Sequence, residues 1–148
     1  LSKSSAIHIL AFDFGTKRIG VAVSSIAAAK IANACTELKP IRATEGVPDW
    51  NELASILEDW KPAKIIVGLP IDSDGSEMEI TRRARKFGNR INGRFGYEVD
   101  FFDETLSTKA AKAEPRLRKQ SRPHAKAPVD SIAARLILES WLAENQND

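Results

Sequence analysis

Ile9-Leu10-Ala11-Phe12-Asp13-Phe14-Gly15-Thr16-Lys17-Arg18-Ile19-Gly20-Val21-Ala22-Val23-Ser24 is the stretch on which the reading of this chain turns. Two apolar runs flank a tight polar turn, so residues 7–14 and 18–24 predict a β-hairpin. The first run closes on a carboxylate, Asp13. Burying an unpaired charge at the end of an apolar strand is costly, so Asp13 needs a purpose. One purpose is local: a strand-end aspartate caps the following turn through its own backbone. The other is chemical, and the rest of the chain decides between them. The turn itself carries Gly15 and Thr16, then the cations Lys17 and Arg18. A hydroxyl, backbone amides and an ammonium in such a turn suit a phosphate.

Outward from the hairpin, residues 30–38 read as a third antiparallel strand and residues 40–48 as a loop. Asp49 reads as the N-cap of a helix through Trp60, with Leu53, Ile56, Leu57 and Trp60 on one face and Pro62 as the stop. The run Ala63-Lys64-Ile65-Ile66-Val67-Gly68-Leu69-Pro70 is almost continuously apolar, the pattern of a strand buried on both faces of a helix-covered parallel sheet. A polar loop, residues 72–76, precedes a helix over residues 77–92. Its apolar positions are Ile80, Ala84, Phe87 and Ile91; Arg83, Lys86, Arg90 and Arg94 form a cationic stripe on another face. A strand over residues 97–102 delivers Asp103 and Glu104 at its end. Residues 106–114 read as a helix and residues 115–128 as a mobile basic loop. A last helix is expected from near Pro128, a residue suited to a first helical turn. The expected fold is α/β with a mixed sheet of five strands, three antiparallel followed by two parallel, flanked by helices.

At 148 residues, 43% hydrophobic and 28% charged, the composition suits one soluble domain over residues 1–148. Residues 1–5 lack a signal-peptide apolar run and read as a flexible tail. The lone Cys35 leaves no partner for an intrachain disulfide and excludes a cysteine zinc cluster, which fits a reducing, cytoplasmic setting. No apolar run reaches the roughly 20 residues of a membrane span. The net charge is only +2, yet residues 82–126 hold 13 Lys and Arg against 5 Asp and Glu, while the remainder holds 9 against 15. That asymmetry points to one face that meets a polyanion.

Three carboxylates then stand out. Sites in open α/β sheets form beyond the carboxyl ends of strands, near a switch in topology. Asp13 and Glu104 end the first and last strands, and Asp130 falls in the expected first turn of the last helix, where the helix dipole favours an acid. Each has an ordinary alternative, as a turn residue, a surface ion-pair partner or a helix cap. If the three converge, two charges about 4 Å apart repel by about 4 kcal/mol even at an effective dielectric near 20. One carboxyl then holds a proton, or together they hold a cation. Oxygen-only ligands suit Mg²⁺ or Mn²⁺, and the matching chemistry is two-metal phosphodiester hydrolysis.

On these residues the sequence resembles the YqgF/RuvX family of the RNase H-like superfamily, related in fold to Holliday junction resolvases. The matching stretches are residues 11–22, the run Ile66-Val67-Gly68-Leu69-Pro70 with its Asp74-Gly75 loop, Asp103-Glu104-Thr105-Leu106-Ser107-Thr108, and Val129-Asp130-Ser131-Ile132-Ala133-Ala134. The resemblance implies an RNase H-like fold and a nuclease with Asp13, Glu104 and Asp130 as metal-binding catalytic residues. It implies maturation of the 5′ end of the 16S ribosomal RNA precursor, or alternatively resolution of DNA junctions, by a monomer or homodimer. The sequence departs from the family at Thr105, where an arginine is usual, and in its basic, glycine-poor loop before Asp130. Thr16, Lys17, Arg18, Arg83, Lys86, Arg90 and Lys126 are the expected nucleic-acid contacts. Two other readings compete. A non-catalytic nucleic-acid-binding factor in transcription or ribosome assembly would use the same cations. An actin-like ATPase or sugar kinase shares the Asp-Phe-Gly-Thr turn but needs a second, duplicated domain.

Overall fold

The computed structural model describes residues 6–27, 35–72, 74–104 and 131–145. Strand β1 (Ala6–Asp13) turns into β2 (Arg18–Ala27), pairing from Ala6 with Ala27 to Asp13 with Gly20. The expected hairpin is therefore present, and its apolar alternation matches two buried faces.

Strand β3 (Cys35–Thr44) pairs antiparallel with β2, and a two-residue β4 (Val47–Pro48) folds back on its end. Here the structure corrects the expectation once. Of the expected third strand, residues 35–38 lie in β3 and residues 30–34 lie outside the described residues; residues 40–48 are a strand and hairpin rather than a loop. Pro40 masked the strand, because proline cannot donate to a ladder. It is accommodated where the β2–β3 register shifts between Ile19 and Val21. The hairpin tip takes positive φ at Glu45 and Gly46, the conformation a two-residue turn of this kind requires.

Helix α1 (Trp50–Trp60) starts as predicted. The Asp49 carboxylate accepts from the Asn51 and Glu52 amides at 3.0 and 3.2 Å. Strand β5 (Lys64–Leu69) is buried from Ile65 to Leu69, and α2 (Glu79–Phe95) follows, ending on Gly96 in the left-handed conformation. The Thr81 hydroxyl accepts from the Met78 amide and donates to the Pro70 carbonyl, tying the start of α2 to the end of β5. Strand β6 (Val99–Asp103) pairs parallel with β5, as β5 does with β1. The sheet order is β4-β3-β2-β1-β5-β6, six strands where five were expected, the extra one being β4.

Helix α3 (Ile132–Asn145) closes the described chain. It begins at Ile132, later than Pro128 had suggested, because Ser131 is bonded to the sheet. The Ser131 hydroxyl accepts from the Val21 amide at 2.9 Å and donates to the Leu38 carbonyl at 2.7 Å, filling the gap left by the register shift. Residues 1–5, the expected helix at 106–114, the basic loop at 115–128, and Thr105, Lys126 and Asp130 all lie outside the described residues.

Alternate residues of the strands feed two cores. Leu10, Phe12, Val21, Ile65 and Val67 pack against α1 and α2 through Leu53, Leu57, Ala84, Phe87 and Ile91. Ile9, Ala11, Ala22, Ile66 and Phe102 pack against α3 through Ala134, Ile137, Leu138 and Leu142. Burial of these apolar side chains, the large aliphatic and aromatic ones contributing about 1.5–3 kcal/mol each, is the main favourable term holding the three layers together. Among the described residues no helix is long and apolar enough to cross a membrane.

Candidate active site

β1 is where the sheet changes from antiparallel to parallel, with antiparallel β2 on one side and parallel β5 on the other. Asp13 ends this strand. It follows Ile9 and Ala11 in the alternation, so it stands on the α3 side. The local packing agrees: a Cβ placed on Gly20, the cross-strand partner of Asp13, would lie 3.5 Å from the Asp13 Cβ, 3.5 Å from the Ser131 Cα and 3.6 Å from the Ala134 Cβ.

Glu104 reaches the same place from β6. Its amide donates to the Leu69 carbonyl at 2.9 Å, extending the β5–β6 ladder by one residue past Asp103. Its side chain then lies across Gly68 of the intervening strand. A Cβ on Gly68 would come within 2.8 Å of the Glu104 Cγ, 3.2 Å of its Cδ and 2.5 Å of the Ile137 Cδ1. Only glycine leaves room for the carboxylate between α3 and the sheet. Burial, then the charges of Asp13 and Asp103, push the Glu104 carboxyl up to about 8. Asp13 and Glu104 are thus brought together at the carboxyl ends of the strands, as the sequence predicted. Asp130 precedes Ser131 in the chain and lies outside the described residues.

The pair repels itself without a cation or a proton, and its donors are carboxylate oxygens alone. That donor chemistry fits a hard divalent ion. Among the described residues no group of three His, Cys, Asp or Glu side chains forms a cage, so the described part of the site offers two candidate ligands, Asp13 and Glu104.

The expected phosphate contacts divide into two groups. Thr16 and Lys17, in the turn after Asp13, line a hollow of about 520 Å³ together with Arg83. Arg83, Lys86 and Arg90 line a second cleft of about 340 Å³ between α2 and the β3–β4 hairpin. The hairpin joins the two: the Ala43 and Gly46 amides donate to the Lys17 and Thr16 carbonyls at 2.9 Å, and Arg83 Nη2 donates to the Glu45 carbonyl at 2.6 Å. Arg18 is exposed at the start of β2 and lines neither hollow. Arg94 leaves the stripe, its guanidinium stacked 4.0 Å from the Trp50 ring.

The sequence reading missed the roles of Gly68, Ser131 and the β3–β4 hairpin. A glycine inside a fully apolar strand was the available signal for the first, since it marks a close approach.

The model of the family described as "RuvX: Holliday junction resolvase" matches residues 7–144. The chain belongs to the RuvX family. A protein of Chromohalobacter salexigens is 49% identical over 137 residues, covering 93% of this chain and 90% of its own length. One of Saccharophagus degradans is 51% identical over 133 residues, covering 90% and 91%. Both carry the name "Putative pre-16S rRNA nuclease". Among solved structures, RuvC of Thermus thermophilus in complex with a Holliday junction substrate matches with a TM-score of 0.58 at 15% identity, covering 95% of this chain and 96% of its own. The fowlpox virus resolvase, solved with Holliday junction DNA, matches with a TM-score of 0.55 at 13% identity, covering 93% and 98%. These likenesses establish the fold of this RuvX member as RNase H-like, the class expected from its motifs.

Proposed function

We propose that this RuvX protein is a divalent-metal-dependent nuclease that hydrolyses phosphodiester bonds and matures the 5′ end of the 16S ribosomal RNA precursor in the cytoplasm. The observation that carries this reading is the meeting of Asp13 and Glu104 over Gly68, at the topological switch point. The names of the relatives at 49% and 51% identity support the choice of substrate.

Asp13, Glu104 and Asp130 hold Mg²⁺ or Mn²⁺ on this reading, in a two-ion site. The support for Asp130 is its chain neighbour Ser131, whose Cα packs against Gly20 beside Asp13. When bound, such ions activate water as the nucleophile and stabilise the departing oxygen. The protein's own part is positional. Asp13 and Glu104 set a negative pocket on an apolar floor that includes Ile137, which keeps bulk water from the Glu104 side chain. Below about pH 8 a proton on the Glu104 carboxylate relieves the repulsion, and a cation replaces it there. Thr16 and Lys17 hold a phosphate in the adjoining turn through hydroxyl and ammonium. Arg18, Arg83, Lys86, Arg90 and Lys126 bind backbone phosphates, which fixes the strand without reading its sequence.

The test is metal-dependent cleavage of a panel: a 16S precursor 5′ fragment, a short single-stranded RNA and a four-way DNA junction. Cleavage of the precursor by the wild type but not by Asp13→Asn, with RNA binding retained, is expected. Cleavage of the junction alone would make the protein a resolvase. Binding without product under any metal would make it a non-catalytic factor.

A further inference from the structure

The cleft between α2 and the β3–β4 hairpin opens on the opposite side of the sheet from Asp13 and Glu104, since Phe14 and Phe87 at its base belong to the core under α1 and α2. Its apolar surface comes from Phe14, Val47 and Pro48. Val47 is 48% exposed, an unusual position for a large aliphatic side chain with a core close by. Opposite stand Arg83, Lys86 and Arg90. Among the described residues, no hydrogen bond or ion pair holds Lys86 or Arg90. Elsewhere on the same helix, Arg85 pairs with Glu77 and Arg94 stacks on Trp50. At the cleft, Arg83 donates to the Glu45 carbonyl, which leaves Lys86 and Arg90 available.

The cleft is also continuous with the site. It shares Glu45 and Arg83 with the hollow lined by Thr16 and Lys17, and that hollow borders the turn after Asp13. The way from the turn after Asp13 to the space between Val47 and Lys86 therefore leads past the Arg83 guanidinium.

We propose that this cleft takes one unpaired nucleotide of the strand being cut, its base against Phe14, Val47 and Pro48 and its phosphate on Lys86 and Arg90. The proposal rests on the nuclease reading for the identity of the strand, and adds that the substrate is single-stranded on one side of the scissile bond. Size supports one nucleotide: about 340 Å³ is near the bottom of the roughly 300–1,000 Å³ range of small-ligand sites. A paired duplex, with two strands of stacked nucleotides, is too large for a cleft of this volume. Charge supports one phosphate: three cations face the two carboxylates of Glu45 and Glu79, leaving a single net positive charge. An apolar wall beside a cationic one is also how single strands are held without sequence preference.

The experiment measures equilibrium binding by fluorescence anisotropy in excess chelator. Three labelled RNAs are compared: a blunt duplex, the same duplex with a single-stranded extension, and the extension alone. The wild type is expected to bind the extended duplex more tightly than the blunt one. Val47→Ser, at an exposed position, should weaken the extended duplex by about fivefold, the scale of one lost aliphatic contact, and leave the blunt duplex unchanged. Lys86→Gln with Arg90→Gln should flatten the dependence of log affinity on log salt by roughly 0.7 per cation removed for the single strand. Equal binding of blunt and extended duplexes by the wild type would overturn the proposal, as would an unaltered affinity in Val47→Ser or an unaltered salt slope in the double variant. Circular dichroism of each variant reports its folding separately. Because no cleavage is needed, a protein that shows this preference yet cuts nothing removes only the nuclease reading. One that cuts but ignores the extension removes only the cleft.

Discussion

Replacing Glu104 with glutamine removes the charge that the site resists most and keeps the side chain's shape. In the unfolded chain a glutamate ionises near its ordinary value of 4.5, whereas in the fold burial and Asp13 push Glu104 up to about 8. Between those values the folded state binds the extra proton, so stability falls as pH rises from about 4.5 to about 8 and levels off outside that window. At pH 7 the folded carboxyl is mostly protonated, while the unfolded one ionises about 2.5 pH units lower (7 less 4.5). At roughly 1.4 kcal/mol per unit the cost to the fold is about 3 kcal/mol. A neutral glutamine carries no such cost. In chelator at pH 7, Glu104→Gln should therefore raise Tm by about 6–12 °C, given 2–4 °C per kcal/mol for a chain of this size. The gain should vanish near pH 4, where both states of the wild type are protonated. Thermal melts followed by circular dichroism at pH 4, 5.5, 7 and 8.5 measure it. A Tm difference that does not vary with pH, or a variant less stable than wild type at pH 7, would refute the argument that Asp13 and Glu104 confront each other.

Gly68→Ala should destabilise the fold by about 1–3 kcal/mol, because the new methyl meets Glu104 and Ile137 at overpacked distances, and should reduce cleavage more than RNA binding; urea titration and single-turnover cleavage check the two effects. Ser131→Ala leaves the Val21 amide and the Leu38 carbonyl without their shared hydroxyl, at a cost of about 1–3 kcal/mol in urea unfolding. If Glu104 is a metal ligand as proposed, Mn²⁺ uptake competes with its proton, so the affinity should climb by about tenfold per pH unit below pH 8 and flatten above; calorimetric titration at three pH values would show this, and a pH-independent affinity would contradict it.

Much of this architecture was readable from residue patterns. The alternation around Asp13 gave the hairpin, the continuous apolar run gave β5, and Asp49 with Pro62 bracketed α1. What failed did so where tertiary contacts overrule local signals. Pro40 looked like the start of a loop, but a shift of register lets it sit inside β3. Pro128 looked like the start of a helix, but Ser131 is held by the sheet and α3 begins after it. The candidate site was half visible. Chain order put Asp13 and Glu104 at strand ends, and parity then put them on one side. Nothing in the sequence separated them from the Arg83 stripe, which faces the other core across the turn. Gly68 belongs to a recognisable motif, yet its purpose emerges only from where the Glu104 and Ile137 side chains lie.

The account depends on a divalent ion being held where β1 and β6 end. Mn²⁺ titration followed by electron paramagnetic resonance, without nucleic acid at pH 8, tests this on the wild type, Asp13→Asn, Glu104→Gln and Asp130→Asn. The account predicts Mn²⁺ uptake by the wild type and its loss or severe weakening in all three variants, each still folded. Wild-type uptake in Asp13→Asn and Glu104→Gln would contradict it.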